Sequence, residues 1–437
     1  MLLKIFTPKG LPDLKKILSS NEALLPFGAG TSTVIPFSHK EVIASHGVSA
    51  MVDLSCMPSQ INLVNDDIVE VIGAVSWEDL RSFLASHHLD VGCWPTDQSA
   101  LVLSGLATSA TGERCFSRGA LRDHCIEIAY LCGEGEVKTL TEGPLVSEEL
   151  DEYQKIYREK YSEFKNGPYP RLEKEIDLMI GTEGQLGIIL SAKIRVFKRE
   201  ETEFILIPIE SFLTLNLTLY SEIITFTKDH RDKVLSFEFL DQNSVKFSGD
   251  VSLKESDYLI FEVIKNETEV FLELLQGKMS SLNLGEALVL DESKFYALRV
   301  KIPRKVNEYL STSNLIKIGT DAQVKVSDLE KLMAIYRGFA SKGINYVLFG
   351  HLGDCHLHFN FLPSKSQVEL ANDLIKDFYV TINKLGGSPF AEHGIGLIKK
   401  KYIQDFYGPV VISAFDYLKK KYDPQSKFFS KGFMKHE

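Results

Sequence analysis

The chain has 437 residues, is 44% hydrophobic and 25% charged, and carries a formal net charge of −10. That length exceeds one ordinary core and predicts two or three domains. The acidic balance argues against a nucleic-acid partner, whose phosphates it would repel, but leaves small anionic substrates open because they answer to the local field.

The six cysteines (Cys56, Cys93, Cys115, Cys125, Cys132 and Cys355) have no cluster spacing. This predicts reduced, mostly buried thiols, no iron–sulfur centre held by the chain itself, and a cytoplasmic location. An N-terminal apolar run is broken at Lys4, so no signal-peptide core is expected, and no later run approaches a membrane span.

In chain order, "LPDLKKILSS" predicts a short amphipathic helix, and "EALLPFGAGTSTVIPF" a strand, a Gly-rich turn and a second strand. "MVDLSCM", "IVEVIGAVS" and "IEIAYLCGEGEV" predict further strands, and "SWEDLRSFLASHHL" a helix with Ser76 as N-cap reinforced by Asp79. The charged run 145–177 predicts a helical surface excursion. Near residue 200 the texture changes. Strands now alternate with amphipathic helices and glycines are few, which predicts a second α+β domain and then a helical tail, "KKKYIQDFYGPVVISAFDYLKKKYDP".

Three Gly-rich segments lie in the first part. "PFGAGTST" joins Gly28 and Gly30 to the hydroxyls of Thr31 and Ser32, a pattern that suits an anion nest or an ordinary hairpin turn. It is neither a Walker loop nor a Rossmann fingerprint, since Thr33 stands where the third glycine belongs. "VLSGLATSATG" places Gly105, Ala107, Ser109, Ala110 and Gly112 almost in a row, with too little side-chain volume for a good core. "GTEGQLGIIL" sets Gly181, Gly184 and Gly187 around Glu183. Together the segments suggest a large cofactor held by backbone.

In "FGHLGDCHLHFNF" a strand over 355–361 would put His356, His358 and Asn360 on one face and Cys355, Leu357, Phe359 and Phe361 on the other. Two histidines at i and i+2 suit a metal, and His351 with the Glu392–His393 pair of "GGSPFAEHGIG" extends the candidate set.

Taken in order, "PFGAGTS", "LSGLATSATG", "GTEGQLGII", "GHLGDCHLH" and "EHGIG" resemble the FAD-linked oxidases and dehydrogenases of the vanillyl-alcohol-oxidase superfamily. The branch it resembles most is that of the D-lactate dehydrogenases, D-2-hydroxyglutarate dehydrogenases and glycolate oxidases. The resemblance implies an α+β protein. Residues 1–200 would form a two-part FAD-binding domain, 201–390 an α+β cap with an antiparallel sheet, and 391–437 a C-terminal segment returning to the FAD domain.

It also implies roles. Pro26, Gly28, Ala29, Gly30, Thr31 and Ser32 would wrap the FAD pyrophosphate. Ser104, Gly105, Ala107, Thr108, Ser109 and Gly112, with Pro95, would line the cofactor. Glu183, Gly184, Gly187 and Ile188 would line it as well. His351, His358 and Glu392 would bind a divalent metal (zinc, manganese or iron), His393 would act as base, and Arg299 would pair the substrate carboxylate. "LSFEFLDQNSV" matches a family segment without an assigned role.

The implied reaction oxidises a small D-2-hydroxy acid, with an iron–sulfur subunit, electron-transfer flavoprotein, quinone or oxygen as separate electron acceptor; size and class suggest a homodimer. The chain departs from the family at Cys355-His356, which replaces Gly-Asn. Cysteine takes positive φ at a cost, so the turn there is expected to differ. His356 could add a ligand, alter substrate choice or mark a degenerate site. The remaining alternatives are an FAD-binding homologue without this activity and a flavin-free metal hydrolase.

Overall fold

Apolar runs bounded by Gly, Asp and Asn form the strands, as the period-two patterns require. The computed structural model describes residues 3–403, 406, 408–429 and 431–434. Part of the expected helical tail, at residues 404, 405 and 407, lies outside them. The chain divides into two units: Met1–Gly112, Gly119–Arg199 and Glu392–Glu437 form the first, Glu113–Arg118 and Glu200–Ala391 the second.

The first unit holds a three-stranded parallel sheet in which Ala50–Asp53 lies between Lys4–Phe6 and Leu24–Phe27. The helix Leu11–Ser20 covers it, burying Leu14 and Leu18 against Leu24, Ala50 and Val52. A larger antiparallel sheet centres on the long strand Ile188–Lys198, flanked by Ile68–Ile72 and Cys125–Leu131. The helix Trp77–Ala85 begins at Ser76, whose hydroxyl accepts from Asp79 N–H at 3.0 Å.

Two local expectations fail here. Residues 34–37 form no strand among the described residues; the chain instead gives the Val34 carbonyl to the N–H groups of Leu397 and Ile398. The helix Asp151–Tyr161 is no mere surface excursion. Tyr153, Tyr157 and Tyr161 recur every fourth residue and bury one face against Tyr169, with Phe415 also beside Tyr153. Charge on the remaining face hid that aromatic stripe.

The second unit is one eight-stranded antiparallel sheet with helices packed on it. Its order runs Leu288–Asp291, Thr202–Ile209, Asp257–Ile264, Val234–Leu240, Tyr346–His351, His356–Phe361 and Ile318–Gly319, with Ala322–Gln323 also on His356–Phe361. The helix Glu292–Thr312 packs Phe295, Leu298 and Ile302 against Phe204, Leu206 and Ile260. Val234–Leu240 and His356–Phe361 are buried on both faces. Polar side chains there must find partners inside the protein.

Candidate active site

In the first unit the three Gly-rich segments converge. A Cβ on Gly28 would run into Ser104 Oγ and come within 3.0 Å of Leu101 Cδ1, while one on Gly184 would lie 2.7 Å from Pro26 Cγ. Backbone bonds from Gly181 to Leu106 and from Glu183 to Ala107 join the second and third segments. Ala29, Gly30 and Thr31 stay exposed. No hydrogen bond ties their N–H groups to another part of the chain among the described residues. An exposed run of N–H donors on a bed of close-packed glycines fits a pyrophosphate.

Not every small residue faces that cradle. Gly105 is buried, and a Cβ there would lie 3.2 Å from Trp77. A Cβ on Gly187 would meet Tyr130 at 2.6 Å, Ile188 sits in the core beside Leu24, and Gly112 presses on the backbone of Trp94 and Pro95. Protein packs closely on each of these positions, which the resemblance assigns to the cofactor. Ser104, Gly105 and Ala107 lie on the short helix Val102–Ala107, and Thr108 follows as its C-cap. Ser109 is left-handed (φ 54°) and exchanges hydrogen bonds with Asn166.

Glu183, another position the resemblance gives to the cofactor, accepts from Ile395 N–H at 2.6 Å and Gly396 N–H at 2.9 Å. Gly394, with φ +76°, packs so closely that a Cβ would lie 2.6 Å from Glu183 Oε1 and 4.0 Å from Thr108. Burial pushes the Glu183 carboxyl up to about 7 against the pull of its two donors. One carboxylate therefore fastens the segment after Glu392 and His393 into the Gly-rich bed.

In the second unit His351 and His358 lie on adjacent strands, with ring centroids 6.4 Å apart. Both are buried. His351 Nδ1 is 2.7 Å from Glu238 Oε1, and His358 Nδ1 faces the Thr320 carbonyl at a longer 3.4 Å. Each ring turns Nδ1 to an oxygen acceptor, so a cation would bind at Nε2. Two such imidazoles plus a carboxylate make a suitable donor set for zinc, manganese or iron.

His356 shares the face of His358, as alternation requires, with centroids 4.5 Å apart. It is fully buried, and its Nε2 lies 3.1 Å from Asp321 Oδ1. That contact gives its Nε2 a buried carboxylate partner. Cys355 holds φ 53°, so the turn keeps a left-handed residue despite the loss of glycine. The strand begins one residue later than expected, at His356. The chain leaves this unit at Ala391, whose N–H donates to the Asp321 carbonyl at 3.1 Å, and the next two residues are Glu392 and His393.

Arg299, expected to pair the substrate carboxylate, lies among buried acids. It is 3% exposed, with Nε 3.5 Å from Glu113 Oε1 and Nη2 3.6 Å from Glu238 Oε2. Two buried carboxylates thus flank this guanidinium.

Sequence reasoning missed three groups. Glu238 is the one acid in a strand buried along its whole length, and a lone acid in such a run is the signal that could have found it. Glu113 gave no such signal, since only tertiary folding brings it to the second unit. Lys317 precedes Ile318–Gly319, which pairs with Phe361 and Asn360. A Cβ on Gly319 would run into Asn360 Oδ1, so alternation turns Lys317 toward the same face. Its side chain keeps exposed surface, yet burial lowers the ammonium pKa.

Residues 5–141 match the FAD binding domain and residues 210–428 match the family of FAD linked oxidases, C-terminal domain. The chain belongs to the FAD-linked oxidase family. D-lactate dehydrogenase [cytochrome] of Kluyveromyces lactis is 22% identical over 96% of this chain and 72% of its own length. D-2-hydroxyglutarate dehydrogenase of Arabidopsis thaliana is 26% identical over 57% of this chain and 46% of its own. Glycolate oxidase subunit GlcD of Bacillus subtilis is 25% identical over 59% and 57%. A solved structure of alkyldihydroxyacetonephosphate synthase shares the fold, with a TM-score of 0.64 and 15% identity over 97% of this chain and 75% of that one. This member of the flavoprotein family has the α+β architecture expected of it, and no described helix is long and apolar enough to cross a membrane.

Proposed function

We propose that the protein oxidises a small D-2-hydroxy acid to the 2-oxo acid, with FAD and a divalent cation as its resident groups. The observation that supports this most is the seat of His393. It stands next to Gly394, which packs on Glu183 and Thr108 within the Gly-rich bed of the first unit.

The bound groups supply hydride acceptance, by FAD, and polarisation of the substrate hydroxyl, by the cation. The protein does the rest. The backbone of Pro26–Ser32 holds the pyrophosphate. His351, His358 and Glu392 hold the cation, and His393 takes the hydroxyl proton on a ring nitrogen as the C2 hydride leaves. Lys317, not Arg299, meets the substrate carboxylate: Lys317 keeps exposed surface while Arg299 is closed in by Glu113 and Glu238. Reoxidation falls to a separate acceptor: an iron–sulfur subunit, an electron-transfer flavoprotein, a quinone or oxygen.

The test is anaerobic titration of the FAD-loaded protein with D-lactate, D-2-hydroxyglutarate and glycolate, followed by its visible spectrum. Bleaching of the flavin band by one of them is expected. A yellow protein that no 2-hydroxy acid bleaches would overturn the reading and leave an FAD-binding homologue altered at Cys355-His356.

A further inference from the structure

Glu238 and His351 face each other across neighbouring antiparallel strands. The register pairs Phe239 with Gly350 and Leu240 with Phe349, which brings the two residues opposite. Both are 3% exposed, and their side chains meet at 2.7 Å. Behind Glu238 stands Arg299, 3.6 Å from the other carboxylate oxygen, and behind Arg299 stands Glu113 at 3.5 Å. Arg299 comes from the helix Glu292–Thr312 and lies over the Phe349 ring at 5.5 Å. Four buried ionisable side chains thus form one file, His351–Glu238–Arg299–Glu113, wholly within the second unit.

A carboxylate this deep needs a reason, because burying a charge without a compensating partner is strongly unfavourable. Arg299 supplies the compensation, and Glu238 can then present a charged acceptor to an imidazole. An acceptor at Nδ1 selects the Nδ1–H tautomer, fixes the ring plane and makes Nε2 a better donor to a cation.

We infer that Glu238 is a positioning residue that holds His351 in the Nδ1–H tautomer with Nε2 presented to the cation, and that Arg299 is the counter-charge that keeps Glu238 in place. This rests on the reading of His351 as a ligand.

The experiment measures two things on the full-length FAD-loaded protein and on E238Q. The first is the His351 tautomer in metal-free protein, by nitrogen-15 imidazole NMR. The second is Zn²⁺ and Mn²⁺ affinity by chelator competition, with the flavin spectrum and circular dichroism as controls for the fold. In the wild type the Nδ1–H form is expected to dominate. In E238Q a mixture of tautomers and a roughly 10–100-fold weaker metal affinity are expected, with flavin content unchanged. If E238Q does not fold, E238D keeps the charge beside Arg299 but draws back from His351, and the same two changes are expected. A variant with the wild-type tautomer and affinity would overturn the positioning role.

H351A separates the two claims. If the wild type binds metal and H351A binds it equally well, the assignment of His351 as a ligand fails and the inference falls with it, whatever the tautomer. If H351A loses the metal while E238Q keeps it, the ligand assignment stands and only the role of Glu238 is overturned.

Discussion

At the scale of single residues, the deciding chemistry is what each buried polar group touches. Cys355 shows how a local rule can yield. The strain of φ 53° on a non-glycine residue is on the order of 1–3 kcal/mol, and flanking strands that pair from Tyr346 to Phe361 hold it there. His356 shows the converse: a histidine in a metal-like pattern, fully buried and given to Asp321.

Asp257 carries a prediction of its own. Its carboxylate accepts from Phe212 N–H at 2.6 Å and Gln242 N–H at 2.8 Å, yet burial, with Asp241 nearby, pushes it up to about 7. The folded protein then binds a proton that the unfolded chain has released, between about pH 4 and 7. Stability contributed at this site is present below that window and falls as pH rises through it, by at most about 1.4 kcal/mol per pH unit. D257N loses one acceptor and is less stable at low pH, but its deficit should narrow from about pH 4 to 7. Denaturant unfolding of both proteins across that range checks this, and a constant deficit would refute it.

At the scale of elements, short segments are held by groups distant in sequence. The segment after His393 is no regular element; it has its shape because the Glu183 carboxylate takes the N–H groups of Ile395 and Gly396. An unmade buried hydrogen bond costs about 1–3 kcal/mol. E183A should therefore raise hydrogen exchange at Ile395 and Gly396 by roughly ten-fold or more while the amides of Ile188–Lys198 stay protected. Unchanged exchange at those two amides would show that other contacts fix the segment.

Much of this scale was legible beforehand. Ser76 and Asp79 announced their helix, and period-two alternation placed His356 and His358 on one face. The role of Glu183 was not legible, because a Glu between glycines reads the same whether it faces a cofactor or a peptide 212 residues away.

At the scale of the whole molecule, the chain does not give each unit one continuous stretch. Residues 113–118 belong with 200–391. From this excursion Arg114 sends Nε and Nη2 to Glu262 Oε1 at 2.9 and 2.6 Å, in a pair 5% and 0% exposed. A fragment of residues 200–391 would bury Glu262 without its arginine, a loss of about 3–5 kcal/mol by the usual cost of breaking a buried pair. That fragment should show a broad, early thermal transition, and R114A in the full chain should lower the melting temperature. A fragment with a sharp, wild-type-like transition would mean that the excursion contributes little.

By itself the sequence determined what local chemistry can specify. Alternation, capping and glycine spacing gave most strands and helices, and the resemblance of the motifs taken in order implied the family and the candidate ligands His351, His358 and Glu392. These signals are short-range, because side-chain period and turn geometry act within a few residues. Only the tertiary structure decided which polar groups meet. It joined Glu238 to His351, enclosed Arg299 between carboxylates, and gave Glu183 to Ile395 and Gly396. Each of those pairings is set by the cost of leaving a buried charge or N–H unmatched, and that cost is settled only when distant segments come together.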